Sequence, residues 1–320
     1  MQSSNHRYLI PLCFIGVMFF AIGFALGVNS YLVPLLEKAL AISSGESYLV
    51  IEATFSSFLI FGYPASMLIA RIGYKRTMAL SFVMFAMGFA LFIPSAAYES
   101  FLLFLGASFL CGMGNTFLQA TVNPYITILG SIESAAKRIS IMGICNKLAW
   151  PAAPLFLAAV IGKKIEAVQL IDIQRPFVWI IVIFLVLGLT VCVAPLPEVK
   201  AVGEDEECVD DCPYAAGKRS IWQFPHLLLG CLALFLYVGV ETLALATTVD
   251  YATALGLSDP QQYALFPSIG LVTGYVCGIV FIPRWLKQDT ALKICAWLAV
   301  FGSLLIVLTP AEWSIWAVSI

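Results

Sequence analysis

The chain has 320 residues, of which 61% are hydrophobic and 11% are charged, and its mean hydropathy is +0.95. Soluble domains average about 45–50% apolar and about 25% charged residues, so this composition excludes a water-soluble globular protein and indicates helices that face membrane lipid. The formal net charge of -2 gives no basis for a nucleic-acid partner.

Long apolar runs predict membrane-spanning helices, because about 20 consecutive apolar residues are needed to cross a bilayer. Nine runs meet this requirement, at residues 8–36, 48–70, 77–96, 101–129, 139–162, 176–195, 222–248, 262–283 and 291–309. A tenth run opens at Trp313 and reaches Ile320, which is too short to span. We therefore predict an all-α, polytopic membrane protein with about nine spanning helices.

The first predicted helix contains Gly23 and Gly27 in a G-x-x-x-G pattern. Glycines at this spacing let two helices approach closely, either inside one protein or at a dimer interface. In a polytopic protein the internal interpretation is favoured, and we expect a monomer surrounded by lipid.

Amide side chains form a stripe on the fourth predicted helix. Asn115, Gln119 and Asn123 follow one another at four-residue spacing, on one slowly drifting helix face. Pro124 then predicts a kink, and Asn146 adds an amide on the fifth helix. Polar groups inside a bilayer usually face the bundle interior or a water-filled cavity. The stripe therefore predicts a polar cavity wall, although amides also join helix to helix and Asn123 could satisfy backbone groups freed by the proline.

Three ionisable residues interrupt the apolar runs: Glu52, Lys147 and Glu241. A charge at the bilayer centre costs about 2.5–3.5 kcal/mol on insertion scales, so these side chains should avoid lipid. Lys147 either forms a buried ion pair with one glutamate or belongs to an ion- or proton-coupling element, since a desolvated glutamate can exchange a proton. Coupling is favoured for Glu241, which shares a helix face with Tyr237 and Thr248. Glu52, near a membrane end, could reach the interface by snorkelling.

The longest polar stretch, residues 197–221, holds seven acidic residues between Glu198 and Asp211. Such a charge run is typical of a solvated linker. It divides the chain into a six-helix part at 1–196, the linker itself, and a part with fewer helices at 222–320.

The nine cysteines lie mostly inside apolar runs, where cysteine behaves as a small hydrophobic residue. Cys208 and Cys212 form a C-x3-C pair in the acidic stretch, without a second pair or a nearby histidine. We therefore predict neither a metal site nor a cofactor.

The distribution of lysine and arginine predicts the orientation in the membrane. With the N-terminus in the cytoplasm, twelve basic residues fall in inner loops and four in outer loops, while Lys147 lies inside a helix. The opposite orientation would invert this bias. We therefore expect the N-terminus and the central linker on the cytoplasmic side of the cell inner membrane.

The loop "ARIGYKRTM", Ala70 to Met78, resembles the cytoplasmic loop between helices two and three of the major facilitator superfamily. That loop has a pattern close to G-x-x-x-D-R-x-G-R-R, and Arg71, Gly73, Lys75 and Arg76 match it here. The acidic position of the pattern is Ala70, so the motif is degraded.

Other segments resemble one branch of that superfamily, the fucose permease and glucose/galactose transporter family, and they occur in the same order. These segments are "GVNSYLVP" at 27–34, "LQATVNPYITILG" at 118–130, "ICNKLAW" at 144–150 and "LYVGVET" at 236–242. Members of the family have twelve helices, so we expect the complete protein to continue beyond Ile320.

The resemblance implies symport of a monosaccharide with a proton or sodium ion. Gln119 and Asn146 match substrate-binding positions of the family, and Asn29 lies in its first-helix motif. Amides suit a sugar because each can both donate to and accept from hydroxyl groups. The fucose permease pattern has acids where this chain has Ser30 and Gln119, which puts coupling through those positions in doubt and leaves Glu241 as the candidate.

Three alternatives compete with this interpretation. An efflux transporter on the same fold would favour a larger and more apolar cavity. A non-transporting sugar sensor would favour a long signalling tail. An enzyme would need clustered catalytic or metal-binding residues within the helices, and the sequence, with two histidines, offers none.

Overall fold

The computed structural model describes residues 3–129, 134–163, 167–194, 196, 220–258, 260–282 and 284–318. Nearly all of them are α-helical, which confirms the all-α prediction. The described α-helices are α1 Ser3–Ala39, α2 Ser44–Ala97, α3 Phe101–Ile128, α4 Ala135–Ile161, α5 Gln174–Val193, α6 Pro225–Ala254, α7 Phe266–Phe281, α8 Gln288–Leu308 and α9 Ala311–Ala317. Most of the predicted linker, with Cys208 and Cys212, lies outside the described residues.

Helix α2 merges two predicted spans into one element of 54 residues. At 1.5 Å per residue a straight helix of this length would measure about 80 Å, far more than the roughly 30 Å hydrocarbon core. The chain turns at Gly73, whose φ of 82° and ψ of 170° are not helical. Glycine adopts this backbone conformation without strain because it has no Cβ. Gly73 therefore separates two halves of α2, each long enough to span.

Seven described helices are long and apolar enough to cross a membrane when α2 is counted once. Counting its two halves separately gives eight. The remaining predicted span is α7, which has 16 residues and is therefore shorter than the about 20 that cross a bilayer. Its predicted range of 262–283 was too long because the 3₁₀ helix Pro260–Leu265 occupies the first part.

The chain divides into two compact units, Met1–Val199 and Lys200–Ile320, called here the N-terminal unit and the C-terminal unit. In the N-terminal unit, α2 packs against α3 and α5, and α1 packs against α4. Phenylalanine rings fill the contact between the second half of α2 and α5. Phe85 and Phe89 each lie 5.1 Å from Phe184, measured between ring centroids, and Phe92 lies 5.0 Å from Phe177.

In the C-terminal unit, α6 contacts the 3₁₀ helix Pro260–Leu265, α7 and α9. The Tyr251 hydroxyl lies 3.1 Å from Ser314 Oγ, which joins α6 to α9. The rings of Phe266 and Trp316 lie 4.3 Å apart and join α7 to α9.

The basic loop between the halves of α2 contacts the end of α5. Lys75 Nζ donates to the carbonyl oxygen of Ala194 at 2.8 Å. Ala194 is the C-cap residue that directly follows α5, and a cation is favourable there because the last helix carbonyls carry partial negative charge. Lys75, one of the loop residues that match the superfamily motif, thus holds the end of α5, the sixth predicted span.

The G-x-x-x-G pattern of α1 lies against α4, which confirms the internal interpretation. A Cβ on Gly23 would come within 2.1 Å of the Asn146 carbonyl oxygen, and one on Gly27 within 2.3 Å of the Trp150 carbonyl oxygen. Real Cβ atoms do not approach backbone this closely, so the two helices can meet only where side chains are absent.

We expect Gly23→Val to lower the free energy of unfolding by about 3 kcal/mol, because the new side chain would force α1 away from α4. Thermal unfolding of the purified protein in detergent measures this change. The control is Gly62→Val, at a helical glycine where an added Cβ would meet no other atom within 4 Å. Equal losses for both variants would contradict the close α1–α4 contact.

Candidate substrate site

Helix α3 is held in place by contacts at two glycines. A Cβ on Gly112 would come within 2.2 Å of the Thr54 carbonyl oxygen, in the first half of α2. A Cβ on Gly114 would come within 2.9 Å of the Phe85 nitrogen, in the second half. Helix α3 therefore lies between the two halves of α2, and the residues that follow Gly114 have a fixed position.

The amide stripe of α3 begins directly after these glycines. Gln119 Nε2 donates to Asn115 Oδ1 at 3.1 Å, so two members of the predicted stripe are joined. Asn115 is 1% exposed, whereas Gln119 is only half-buried. The Nδ2 atom of Asn115 is buried without a hydrogen-bond partner among the described residues. The side chain of the third member, Asn123, is exposed and makes no hydrogen bond to a described residue.

A seam of hydroxyl groups joins α1, α2 and α3. Asn29 Nδ2 donates to Thr54 Oγ1 at 2.7 Å, and Thr54 Oγ1 lies 3.3 Å from the Ser108 carbonyl oxygen. Ser57 Oγ lies 3.3 Å from Thr116 Oγ1. All five residues are buried. The structure therefore places Asn29 in a helix-to-helix contact, the alternative considered for every amide.

Asn146 also contacts a neighbouring helix. Its Nδ2 donates to the carbonyl oxygen of Phe19 in α1 at 3.1 Å, and the side chain is half-buried. The next residue, Lys147, is half-buried as well. The Asn146 side chain therefore uses one N–H in a hydrogen bond to α1, and its carbonyl oxygen can accept from another partner.

The C-terminal unit contains a second group of polar side chains, around Glu241 of α6. Tyr237, one helical turn earlier, is within hydrogen-bonding reach of the Glu241 carboxyl group, and Tyr275 of α7 is close enough to interact with it electrostatically. Cys295 of α8 lies near Tyr237. Tyrosines of two helices, α6 and α7, thus interact with one half-buried acid. Glu52, by contrast, is exposed.

Sequence reasoning missed the hydroxyl seam. Serine and threonine do not stand out from the apolar residues around them, because each can bond to a carbonyl of its own helix. Thr54 also does so, at 3.1 Å from the Val50 carbonyl oxygen. One signal in the sequence is the spacing of Thr54 and Ser57, which are three residues apart and so lie on one helix face. That face contacts Gly112 of α3.

Comparison with known proteins agrees with this architecture. Residues 13–320 match the sequence model of the Major Facilitator Superfamily. The glucose/galactose transporter of Brucella abortus biovar 1 (strain 9-941) is 31% identical over 326 residues, which cover 99% of this chain and 77% of that protein. The L-fucose-proton symporter of Escherichia coli (strain K12) is 24% identical over 304 residues, covering 88% and 68%.

A solved structure has the same fold. The crystal structure of the major facilitator transporter FucP in the outward conformation matches 98% of this chain and 80% of that chain, with a TM-score of 0.81 and 20% sequence identity. The resemblance drawn from short sequence segments is thereby confirmed.

We expect Thr54→Val to lower the free energy of unfolding by about 1–3 kcal/mol, because it leaves the buried Asn29 amide without its acceptor. Removing both partners in Asn29→Leu/Thr54→Val should cost less than the sum of the single changes. Thermal unfolding measures both effects. The control is Thr273→Val, an exposed threonine whose hydroxyl bonds to its own helix at Ile269. Additive losses would contradict the Asn29–Thr54 bond.

Proposed function

Because the chain belongs to the major facilitator superfamily, we propose that it imports a monosaccharide together with a cation by alternating access. The substrate we propose is a hexose such as glucose, galactose or fucose. In this mechanism one half of the fold moves against the other around a binding site near the bilayer midplane. The proposal draws on the relatives named as glucose/galactose transporters and L-fucose-proton symporters.

The observation that carries the sugar assignment is the half-buried amide of Gln119 on a helix fixed by glycines. Its Nε2 uses one N–H on Asn115, so its second N–H and its carbonyl oxygen remain for a ligand. Hydroxyl groups both donate and accept, and an amide can therefore bind two neighbouring hydroxyls at once. Sites built from such bonds reject analogues that lack a hydroxyl, because polar groups are then left unpaired. Asn146 and Asn123 are proposed as further sugar contacts.

Coupling is proposed to involve Glu241. The fucose permease pattern has acids where this chain has Ser30 and Gln119, neither of which can carry a charge. Glu241 is a half-buried acid on a membrane helix, flanked by two tyrosines that can donate to the carboxylate or accept from the carboxylic acid. A carboxyl group can carry a proton, whereas an amide cannot. The L-fucose-proton symporter relative favours the proton over sodium as the coupling ion.

The proposed location is the cytoplasmic membrane of a bacterium, with the N-terminus inside. The excess of basic residues in the expected inner loops supports this orientation. The relatives are bacterial transporters. A monomer is proposed, because the G-x-x-x-G pattern of α1 is used against α4 inside the chain.

We expect Gln119→Ala to weaken hexose uptake by at least about tenfold, because one lost bidentate contact corresponds to more than 1.4 kcal/mol. Uptake of labelled glucose, galactose and fucose by the full-length protein in proteoliposomes measures the effect. The control is Gln262→Ala, an exposed glutamine that bonds only to the nearby Ser258 carbonyl. If the unaltered protein takes up none of the three sugars under a proton or a sodium gradient, sugar symport is wrong, and export or sensing takes its place.

We expect Glu241→Gln to abolish accumulation driven by a proton gradient while leaving exchange of internal for external sugar in place. Glutamine can keep the hydrogen bond to Tyr237 but cannot carry the proton. The measurement compares gradient-driven accumulation with counterflow at equal pH on both sides. Glu52→Gln, at the exposed acid of α2, is the control. Undiminished proton-driven accumulation in Glu241→Gln would remove Glu241 from coupling.

A further inference from the structure

A hydrogen bond joins the side chains of Gln119 and Asn115 within α3. Gln119 is the donor, through Nε2, and Asn115 is the acceptor, through Oδ1. This is the one hydrogen bond that the Gln119 side chain makes among the described residues. It leaves Gln119 with one N–H and an entire carbonyl oxygen, which accepts two bonds. If Asn115 were instead the donor, Gln119 would keep both of its N–H groups, and its carbonyl oxygen could accept one further hydrogen bond.

Asn115 is held more firmly than Gln119. It is 1% exposed, and both neighbours along the chain are tied to α2. Gly114 lies so close to Phe85 that no Cβ fits between them, and Thr116 Oγ1 lies 3.3 Å from Ser57 Oγ. Gln119 is longer and half-buried, and by itself it would sample several rotamers. The bond therefore transmits the fixed position of Asn115 to the exposed end of Gln119.

Asn115 makes this contact at a cost to folding. Its Nδ2 is buried without a described partner, and an unmet donor destabilises a folded protein. Leucine has the same number and branching of side-chain heavy atoms as asparagine and no polar atom, so it would remove that penalty. Local rules of stability are broken in this way mainly where a residue serves a function.

We propose that Asn115 is a positioning residue that orients Gln119 so that its carbonyl oxygen accepts a sugar hydroxyl and its free N–H donates to the neighbouring hydroxyl. This inference rests on the proposed sugar transport and deepens it. It specifies the ligand chemistry as two adjacent hydroxyl groups, one of which must be a donor. Asn115 itself need not touch the sugar.

The experiment measures sugar affinity and turnover for Asn115→Leu in the full-length protein, together with its melting temperature in detergent. We expect KM and the dissociation constant to rise about tenfold, kcat to change little, and the melting temperature to stay equal or rise. A residue with only a structural role would instead lower the melting temperature and the amount of folded protein.

Deoxy and deoxy-fluoro analogues of the transported hexose test the polarity. Fluorine cannot donate a hydrogen bond, so at the hydroxyl that donates to Gln119 Oε1 the fluoro analogue should bind as weakly as the deoxy analogue. In Asn115→Leu the preference for the parent sugar at that position should shrink. A fluoro analogue that keeps most of the parent affinity at every position would overturn the proposed polarity.

Two further variants separate positioning from packing. Thr121→Val removes a buried bond of the same helix, from Thr121 Oγ1 to the Leu118 carbonyl oxygen, and it should lower the melting temperature without changing KM. In the Gln119→Leu background, Asn115→Leu should add no further loss of affinity. Additive losses, or an unchanged KM in Asn115→Leu alone, would overturn the inference while sugar transport stands. If the unaltered protein binds no monosaccharide, the proposed function fails, and this inference fails with it.

Discussion

Close backbone contact between α3 and both halves of α2 is the constraint on which the rest of the N-terminal unit depends. Inside a bilayer the lipid tails are as apolar as leucine, so helices associate through close packing and hydrogen bonds rather than through the hydrophobic effect. Gly112 lets α3 pack tightly on the first half of α2, and Gly114 lets it pack on the second half. Gly88, in that second half, lets Cys111 of α3 come close. Any Cβ at these positions would meet backbone or sulfur atoms. The same rule joins α1 to α4 at Gly23 and Gly27.

This packing decides what the polar side chains of α3 can do. Residues that face α2, such as Thr116, find partners across the contact and serve the fold. Asn115 is equally buried but lacks a described partner for Nδ2, and the one hydrogen bond that its side chain makes to a described residue leads along α3 to Gln119. Most buried polar groups have a hydrogen-bond partner. A buried polar group without a described partner is therefore a better indication of function than polarity alone. The amide stripe therefore divides into Asn115 and Gln119, which are joined, and Asn123, which is exposed.

The sequence was sufficient for the helices, because apolar runs of spanning length are a strong signal when a bilayer is the solvent. It was less accurate at α7, where the apolar run does not reveal that its first part forms a 3₁₀ helix. For the candidate site, four-residue spacing correctly predicted that Asn115 and Gln119 lie on one face. It could not show that Asn29 bonds to Thr54, since that contact joins residues 25 positions apart and depends on how α1 and α2 cross.

Gln119 lies where the fucose permease pattern has an acid, and this difference bears on which residue could carry a coupling proton in the proposed transport. A carboxylate at that place could both bind a sugar hydroxyl and carry a proton, whereas an amide can only bind. Uptake against a gradient would then require a titratable group elsewhere, and a half-buried acid among tyrosines on α6 and α7 has the chemistry for it. If Gln119 binds the sugar and another residue carries the proton, Gln119 can be oriented by the neutral Asn115. An ionised acid at position 119 could not donate a hydrogen bond to Asn115. In the proposed function the Asn115–Gln119 pair binds the sugar and Glu241 carries the proton, so sugar binding by this pair would not require a charge at position 119.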